Sequence, residues 1–140
     1  MKKQENDLKD WSEIEECVKL LATKIQDTKK QFKTIYTISR GGLVPARLVA
    51  DRLNIKRILV DEETIPDGAL FVDDIYDTGE TFRKIIPGVE NSDTLVFATL
   101  FARRKKQYPK QLIYAKLTKN SEYVVFPWDR FERGIPDLPS

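Results

Sequence analysis

The chain has no histidine and a single cysteine, Cys17, in 140 residues. Without histidine there is no triad built on an imidazole base, no histidine-ligated zinc and no imidazole proton shuttle. Acid and base chemistry falls to carboxylates, lysine or tyrosine. One cysteine excludes an internal disulfide and a cysteine-built zinc site, and fits a reducing compartment. Apolar runs are short, none approaching the roughly 20 residues that span a bilayer, and Met1–Asp7 lacks the apolar core of a signal peptide. The expected location is the cytoplasm. Low-complexity segments, internal repeats and linker-like shifts in composition are also missing. With 41% hydrophobic residues, 140 residues can bury one core but not two, which predicts one domain spanning 1–140.

What is present is charge, unevenly placed. The formal net charge of +2 hides ten acids against two bases in Asp61–Asp93, and seven bases without an acid in Ala102–Lys119. Such segregation suits a site that holds both a metal and a polyanion, and it also describes two solvated faces.

Trp11, Ile14, Cys17, Val18, Leu21 and Ile25 recur at helical steps, which predicts an amphipathic helix over Ser12 to about Thr28. Thr34–Ile38 is β-branched and aromatic; it runs into Ser39-Arg40-Gly41-Gly42, after which Leu43, Ala46, Val49 and Leu53 resume helical spacing. Pro45 falls in the first turn of that helix, where its missing N–H costs little. Arg57–Val60 and Ala69–Val72 read as strands covered on both faces. A second strand–turn–helix unit follows, from Asp73 through Thr81 into Phe82, Ile85 and Ile86, stopped by Pro87-Gly88. Thr94–Phe101, Gln111–Leu117 and Glu122–Phe126 are further strands. Strands alternating with helices predict an α/β domain, with a central, mostly parallel sheet flanked by helices.

In such sheets ligands sit outside the carboxyl ends of strands, so the turns after Ile38 and Val72 face one crevice. Asp73 and Asp74 stand where a strand ends; Asp77, Thr78 and Thr81 are short polar groups, and Gly79 permits a tight turn. Free N–H groups at a helix start, with threonine hydroxyls beside them, make a phosphate cradle, and adjacent carboxylates suit ribose hydroxyls or magnesium. Taken alone, the same residues also describe a capped turn. Ser39-Arg40-Gly41-Gly42 likewise offers glycines for close backbone approach and a guanidinium for phosphate, or simply a turn.

The full strings are more specific. Leu70-Phe71-Val72-Asp73-Asp74-Ile75-Tyr76-Asp77-Thr78-Gly79-Glu80-Thr81 closely resembles the phosphoribosyl pyrophosphate (PRPP) signature of type I phosphoribosyltransferases. Ile38–Ala46 is similar to the pyrophosphate loop of the bacterial xanthine-guanine group in that family, and Glu122–Asp129 resembles the group's purine-binding end. The resemblance spans Ile35 to Asp129 with the three motifs in order. It implies the type I fold, with an N-terminal helix in 1–30, a core in 31–101 and a C-terminal base-binding hood in 102–140. It implies Mg2+-dependent transfer of phosphoribosyl from PRPP to a 6-oxopurine, giving a nucleoside monophosphate and pyrophosphate.

By the same resemblance Asp73 and Asp74 contact the ribose and metal, Asp77 handles the purine ring proton, and Asp77, Thr78, Gly79, Glu80 and Thr81 wrap the 5′-phosphate. Ser39, Arg40 and Gly41 hold pyrophosphate; Tyr123 stacks on the base, the Val124 backbone reads its edge, and Asp129 helps hold the metal. Arg103 stands where the family usually has a lysine that donates to the base's exocyclic oxygen; its planar fork is not equivalent to an ammonium. The segment Asp61–Gly68 is shorter than the mobile loop the family carries there. That departure motivates an alternative, a PRPP or nucleotide sensor with little catalysis. The rest of the basic run, Arg104-Lys105-Lys106, reads as a solvated face or oligomer contact rather than a nucleic-acid site, and the family's habits imply a homodimer or homotetramer without membrane contact.

Overall fold

Helix α1 (Trp11–Asp27) begins where the Asp10 carboxylate accepts the Glu13 N–H at 2.9 Å, a side-chain cap for one of the donors that every helix start leaves unpaired. Its apolar stripe, Ile14, Cys17, Val18, Leu21 and Ile25, is buried. The structure is a computed structural model and describes residues 6–119 and 122–129. Helix α2 (Leu43–Leu53) carries Pro45 in its first turn, buries the small residues Ala46 and Ala50 beside Val49, and ends at Asn54 in the left-handed conformation. Asparagine tolerates that region better than most side chains.

The strands are β1 (Asn6–Leu8), β2 (Thr34–Thr37), β3 (Arg57–Val60), β4 (Leu70–Tyr76), β5 (Val96–Arg103), β6 (Leu112–Thr118) and β7 (Tyr123–Val125). Five of them form a parallel sheet in the order β3-β2-β4-β5-β6. All eight residues of β5 are buried, which explains a continuous apolar run in place of alternation. Leu70, Val72, Val96, Ala98 and Leu100 pack with α1 and α2 on one face. Phe71, Phe97 and Leu95 face the other way, against Ile65 and the short helix α3 (Glu80–Ile85), with the Phe71 and Phe97 rings stacked at 5.1 Å. The mostly parallel, helix-flanked sheet expected from the alternation of strands and helices is the observed architecture.

Element ends differ from the expectation in instructive ways. Asp73 and Asp74 do not follow the strand; they lie inside β4, because the backbone continues its ladder with β5 through Asp73↔Thr99 and Tyr76↔Ala102. Thr94 is not in β5. It closes a 3-10 turn over Ser92–Thr94, and its hydroxyl is committed to Asp67 and Gly68. Strand β1 has no apolar alternation to announce it and exists through its parallel partner β7, with Asn6↔Tyr123 and Leu8↔Val125 in register.

The segment between β3 and β4 is tied down. Ile65 is 2% exposed, its N–H donates to the Gly88 carbonyl at 2.8 Å, and its own carbonyl accepts from Glu90 at 2.9 Å. From β2 the chain crosses to β3 on one side and then to β4 on the other, so the connections reverse between β2 and β4. In open α/β sheets that reversal opens a crevice at the strand ends.

Candidate active site

At the reversal point the backbones are packed so closely that side chains are excluded. A Cβ on Gly42 would lie 2.0 Å from Thr37 Oγ1 and 3.0 Å from the Val72 carbonyl. Thr37 donates its hydroxyl to that carbonyl at 2.6 Å, joining the ends of β2 and β4. One residue earlier, a Cβ on Gly41 would fall 2.8 Å from Asp74 Oδ2, so the loop after β2 rests directly on the acids of β4. The Ser39–Arg40 peptide is cis. The Asp61 carboxylate accepts the Ser39 N–H at 2.8 Å and its hydroxyl at 2.5 Å.

Asp73 is 4% exposed, and its carboxylate accepts the Asp74 N–H at 2.9 Å; Asp74 in turn accepts the Ile75 N–H at 2.7 Å. Burial raises the proton affinity of Asp73. Burial, then the charge of Asp73, raises that of Asp74 well above the ordinary carboxylate range, with Asp129 adding to the repulsion. Two acids crowded this way repel each other, which fits a hard cation and hydroxyl donors brought by a ligand. Among the described residues no group of three metal-ligating side chains converges. The oxygens of Asp73 and Asp74 are of the kind a hard cation takes.

The turn after β4 is shaped by Gly79, at φ 85°, where an added Cβ would meet Tyr76 Oη at 2.6 Å and Arg83 Nη1 at 2.9 Å. Arg83 donates to the Thr78 carbonyl at 3.0 Å and the Glu80 N–H to the Thr78 hydroxyl at 3.3 Å. Arg83 thus braces the turn from below, and α3 is only six residues long, so backbone N–H groups and hydroxyls, more than a helix dipole, would face an anion here.

Two connected clefts result. One of about 380 Å³ is lined by Ser39, Gly41, Asp73, Asp74 and the whole of Asp77–Thr81. The other, of about 270 Å³, is lined by Arg103, Tyr123, Val124, Phe126 and Asp129, and shares Gly41, Asp74, Ile75 and Asp77 with the first. Thirteen of the fourteen residues nominated from sequence line one cleft or the other; Arg40 is exposed and lines neither. In the second cleft Arg103, 8% exposed, donates from Nε to Asp77 at 3.2 Å and from Nη1 to the Lys119 carbonyl. Asp129 is turned inward and accepts the Phe126 N–H at 3.1 Å.

Sequence reasoning did not single out Tyr76, Phe97 or Phe126 as lining residues, nor the bond from Asp61 to Ser39. Tyr76 occupied a spacer position within a recognised motif, which was its only signal. The basic stretch divides: Arg103 points into the site, Lys110 pairs with Asp93 at 2.7 Å, and Lys116 pairs with Glu16 at 3.1 Å.

No family model matches the chain. A xanthine-guanine phosphoribosyltransferase of Chromohalobacter salexigens is 30% identical over 141 residues, covering 85% of this chain and 81% of that protein. One from Idiomarina loihiensis is 29% identical over 149 residues, covering 91% and 89%. Among solved structures, a purine phosphoribosyltransferase from Pyrococcus horikoshii has a TM-score of 0.69 at 20% identity, over 97% of each chain.

Proposed function

The chain belongs to the type I phosphoribosyltransferase family, alongside the xanthine-guanine enzymes, and from that premise we propose that it transfers phosphoribosyl from PRPP to a 6-oxopurine. The observation that carries this reading is the pair of buried Asp73 and half-buried Asp74 at the reversal point, in a cleft that shares Asp74 and Asp77 with an aromatic-lined one. The coarser statement, a PRPP-dependent transferase acting on a purine-like base, rests on the family. The choice of guanine, xanthine or hypoxanthine rests on the second cleft.

In the proposed arrangement the ribose hydroxyls sit on Asp73 and Asp74, and the 5′-phosphate lies in the turn from Asp77 to Thr81. Arg40 with the Ser39 and Gly41 backbone holds the pyrophosphate. The hood is proposed over residues 102–140, of which 120–121 and 130–140 lie outside the described residues; in it Tyr123 stacks on the base, the Val124 backbone reads its edge and Arg103 donates to the exocyclic oxygen. As the bond from the anomeric carbon to pyrophosphate breaks, its electron pair leaves with the pyrophosphate. The base nitrogen's lone pair then forms the new bond to that carbon, and Asp77 receives the proton released from the purine ring. Asp73 and Asp74, with Asp129 on the base side, would hold Mg2+, which when bound offsets the charge of the leaving pyrophosphate.

No helix among the described residues is long and apolar enough to cross a membrane, and we place the enzyme in the cytoplasm. Leu8, at 71% exposure, and Trp11, at 56%, fit the proposal of a homodimer or homotetramer. A second reading has one observation in its favour. The Asp61–Gly68 connection is anchored through Ile65, so it offers no free loop to close over the site, and a slow enzyme serving as a PRPP sensor would share the same cleft.

The deciding experiment is pyrophosphate release from PRPP and Mg2+ with guanine, xanthine, hypoxanthine, adenine, uracil and orotate in parallel. Turnover with a 6-oxopurine alone supports the proposal. Turnover with uracil or orotate removes the base assignment, and Mg2+-dependent PRPP binding without turnover of any base transfers the argument to the sensor.

A further inference from the structure

We propose that Asp61 is a positioning residue that presets the Ser39–Gly41 loop for the pyrophosphate end of the donor. The proposal rests on the reading of that loop as the pyrophosphate site. Asp61 is the first residue after β3, the edge strand beside β2. Its N–H donates to the Thr37 carbonyl at 3.0 Å, extending the β2–β3 ladder one step past its last pair, Thr37↔Val60. To make that bond the residue takes φ 57°, a left-handed conformation that non-glycine residues adopt at a cost. The turn brings the carboxylate across the end of β2, where Oδ1 takes the Ser39 N–H and Oδ2 the Ser39 hydroxyl.

A solvated carboxylate closing a surface strand would have no reason to satisfy both donors of one loop residue. These two bonds, hydroxyl first and N–H second, also favour the ionised form of Asp61. The site of attachment matters because the loop is short and closely seated. Two residues beyond Ser39, Gly41 lies against Asp74, whose Oδ2 would be 2.8 Å from an added Cβ. A displacement at Ser39 is therefore carried into the contact between the loop and the acid pair. Asp61 lines a cleft of about 640 Å³ on the side of Lys84 and Pro87, which meets the cleft holding Asp73 and Asp74 at Ile38 and Ser39. Its carboxylate braces the loop at Ser39, the residue where the two clefts meet.

The test compares wild-type protein with Asp61→Ala, Asp61→Asn and Arg40→Ala, using steady-state kinetics and calorimetric binding of PRPP and of pyrophosphate in the presence of Mg2+. Asp61→Ala is expected to raise KM for PRPP and weaken pyrophosphate binding about tenfold, since charge-assisted hydrogen bonds that preorganise a loop are worth that order. KM for the base should stay unchanged, and thermal melting should confirm an intact fold. Asp61→Asn should restore most of the loss, because its amide oxygen accepts the Ser39 N–H and its NH2 can donate to the hydroxyl oxygen. Equal or tighter PRPP binding by Asp61→Ala overturns the proposal, as does an equal rise in both KM values. If Arg40→Ala loses PRPP affinity and Asp61→Ala does not, the positioning role falls and the pyrophosphate reading of the loop stands. If neither loses affinity, both fall.

Discussion

Replacing Asp74 with asparagine should make the unliganded protein more stable while removing its ability to bind the donor. Asp74 is held against Asp73 inside β4, and burial first and the neighbouring charge second raise its proton affinity well above the usual range. A carboxyl whose folded-state pKa lies above its unfolded value contributes its full stability below the unfolded value, 3.8 for this group. That contribution is lost as pH rises through the folded value. At neutral pH the pair is therefore a liability of the empty site. Asparagine removes the charge yet keeps an oxygen able to accept the Ile75 N–H, a bond of 2.7 Å in the native protein. Removing one of two adjacent, mutually repelling charges, one buried and one half-buried, belongs with single substitutions that gain about 1 kcal/mol, or roughly 4 °C in Tm for a domain of this size.

Melting of wild type and Asp74→Asn by circular dichroism at pH 8 and at pH 3.5, without ligand, would measure this. The gain should be present at pH 8 and shrink at pH 3.5, where the wild-type pair carries protons. Calorimetry with PRPP and Mg2+ should show affinity reduced by about 100-fold or more, as for loss of a paired buried charge. A variant that melts lower than wild type at pH 8, or whose advantage does not depend on pH, would refute the reasoning.

Asp77→Asn should lower kcat about 100- to 1000-fold with the melting temperature within a degree or two of wild type; steady-state turnover checks it, and near-normal kcat removes the proton-handling role. Arg103→Ala should raise KM for the base more than KM for PRPP, with Arg103→Lys intermediate, because an ammonium replaces one donor of the planar fork and not its pairing with both Asp77 and the Lys119 carbonyl. Gly42→Ala should destabilise by about 1–3 kcal/mol, read as a lower urea midpoint, since its methyl would fall 2.0 Å from Thr37 Oγ1. Chelating divalent ions should abolish calorimetric binding of PRPP and leave the Tm of the unliganded protein unchanged.

Much of this site was legible because phosphate and ribose recognition needs short polar residues and glycines at fixed local spacing. Asp73 through Thr81 is one continuous turn after one strand, and Ser39–Gly42 is another, so the chemistry of each could be read within a window of a few residues. Asp61 is different. It contacts Ser39 across 22 positions, and its place in an acidic stretch resembled solvated charge. Arg103 is separated from Asp77 by 26 positions; its substitution for the usual lysine was visible, but not its pairing with the residue proposed to carry the proton. Strand β1 escaped notice because a three-residue strand of polar character has no periodicity of its own.

By itself, the sequence determined the α/β class, the order of most strands and helices, the exclusion of histidine chemistry and the two turns proposed to face the ligand. Each depends on residue type and short-range spacing. Tertiary structure alone decided that the two turns meet, with Gly41 pressed on Asp74, and that β7 brings Tyr123 and Val124 to the same crevice. It also brought the Asp61 carboxylate onto the Ser39 N–H and hydroxyl. Those are contacts between segments far apart in the chain, set by parallel pairing across the sheet, and no local pattern encodes which strand ends will lie side by side.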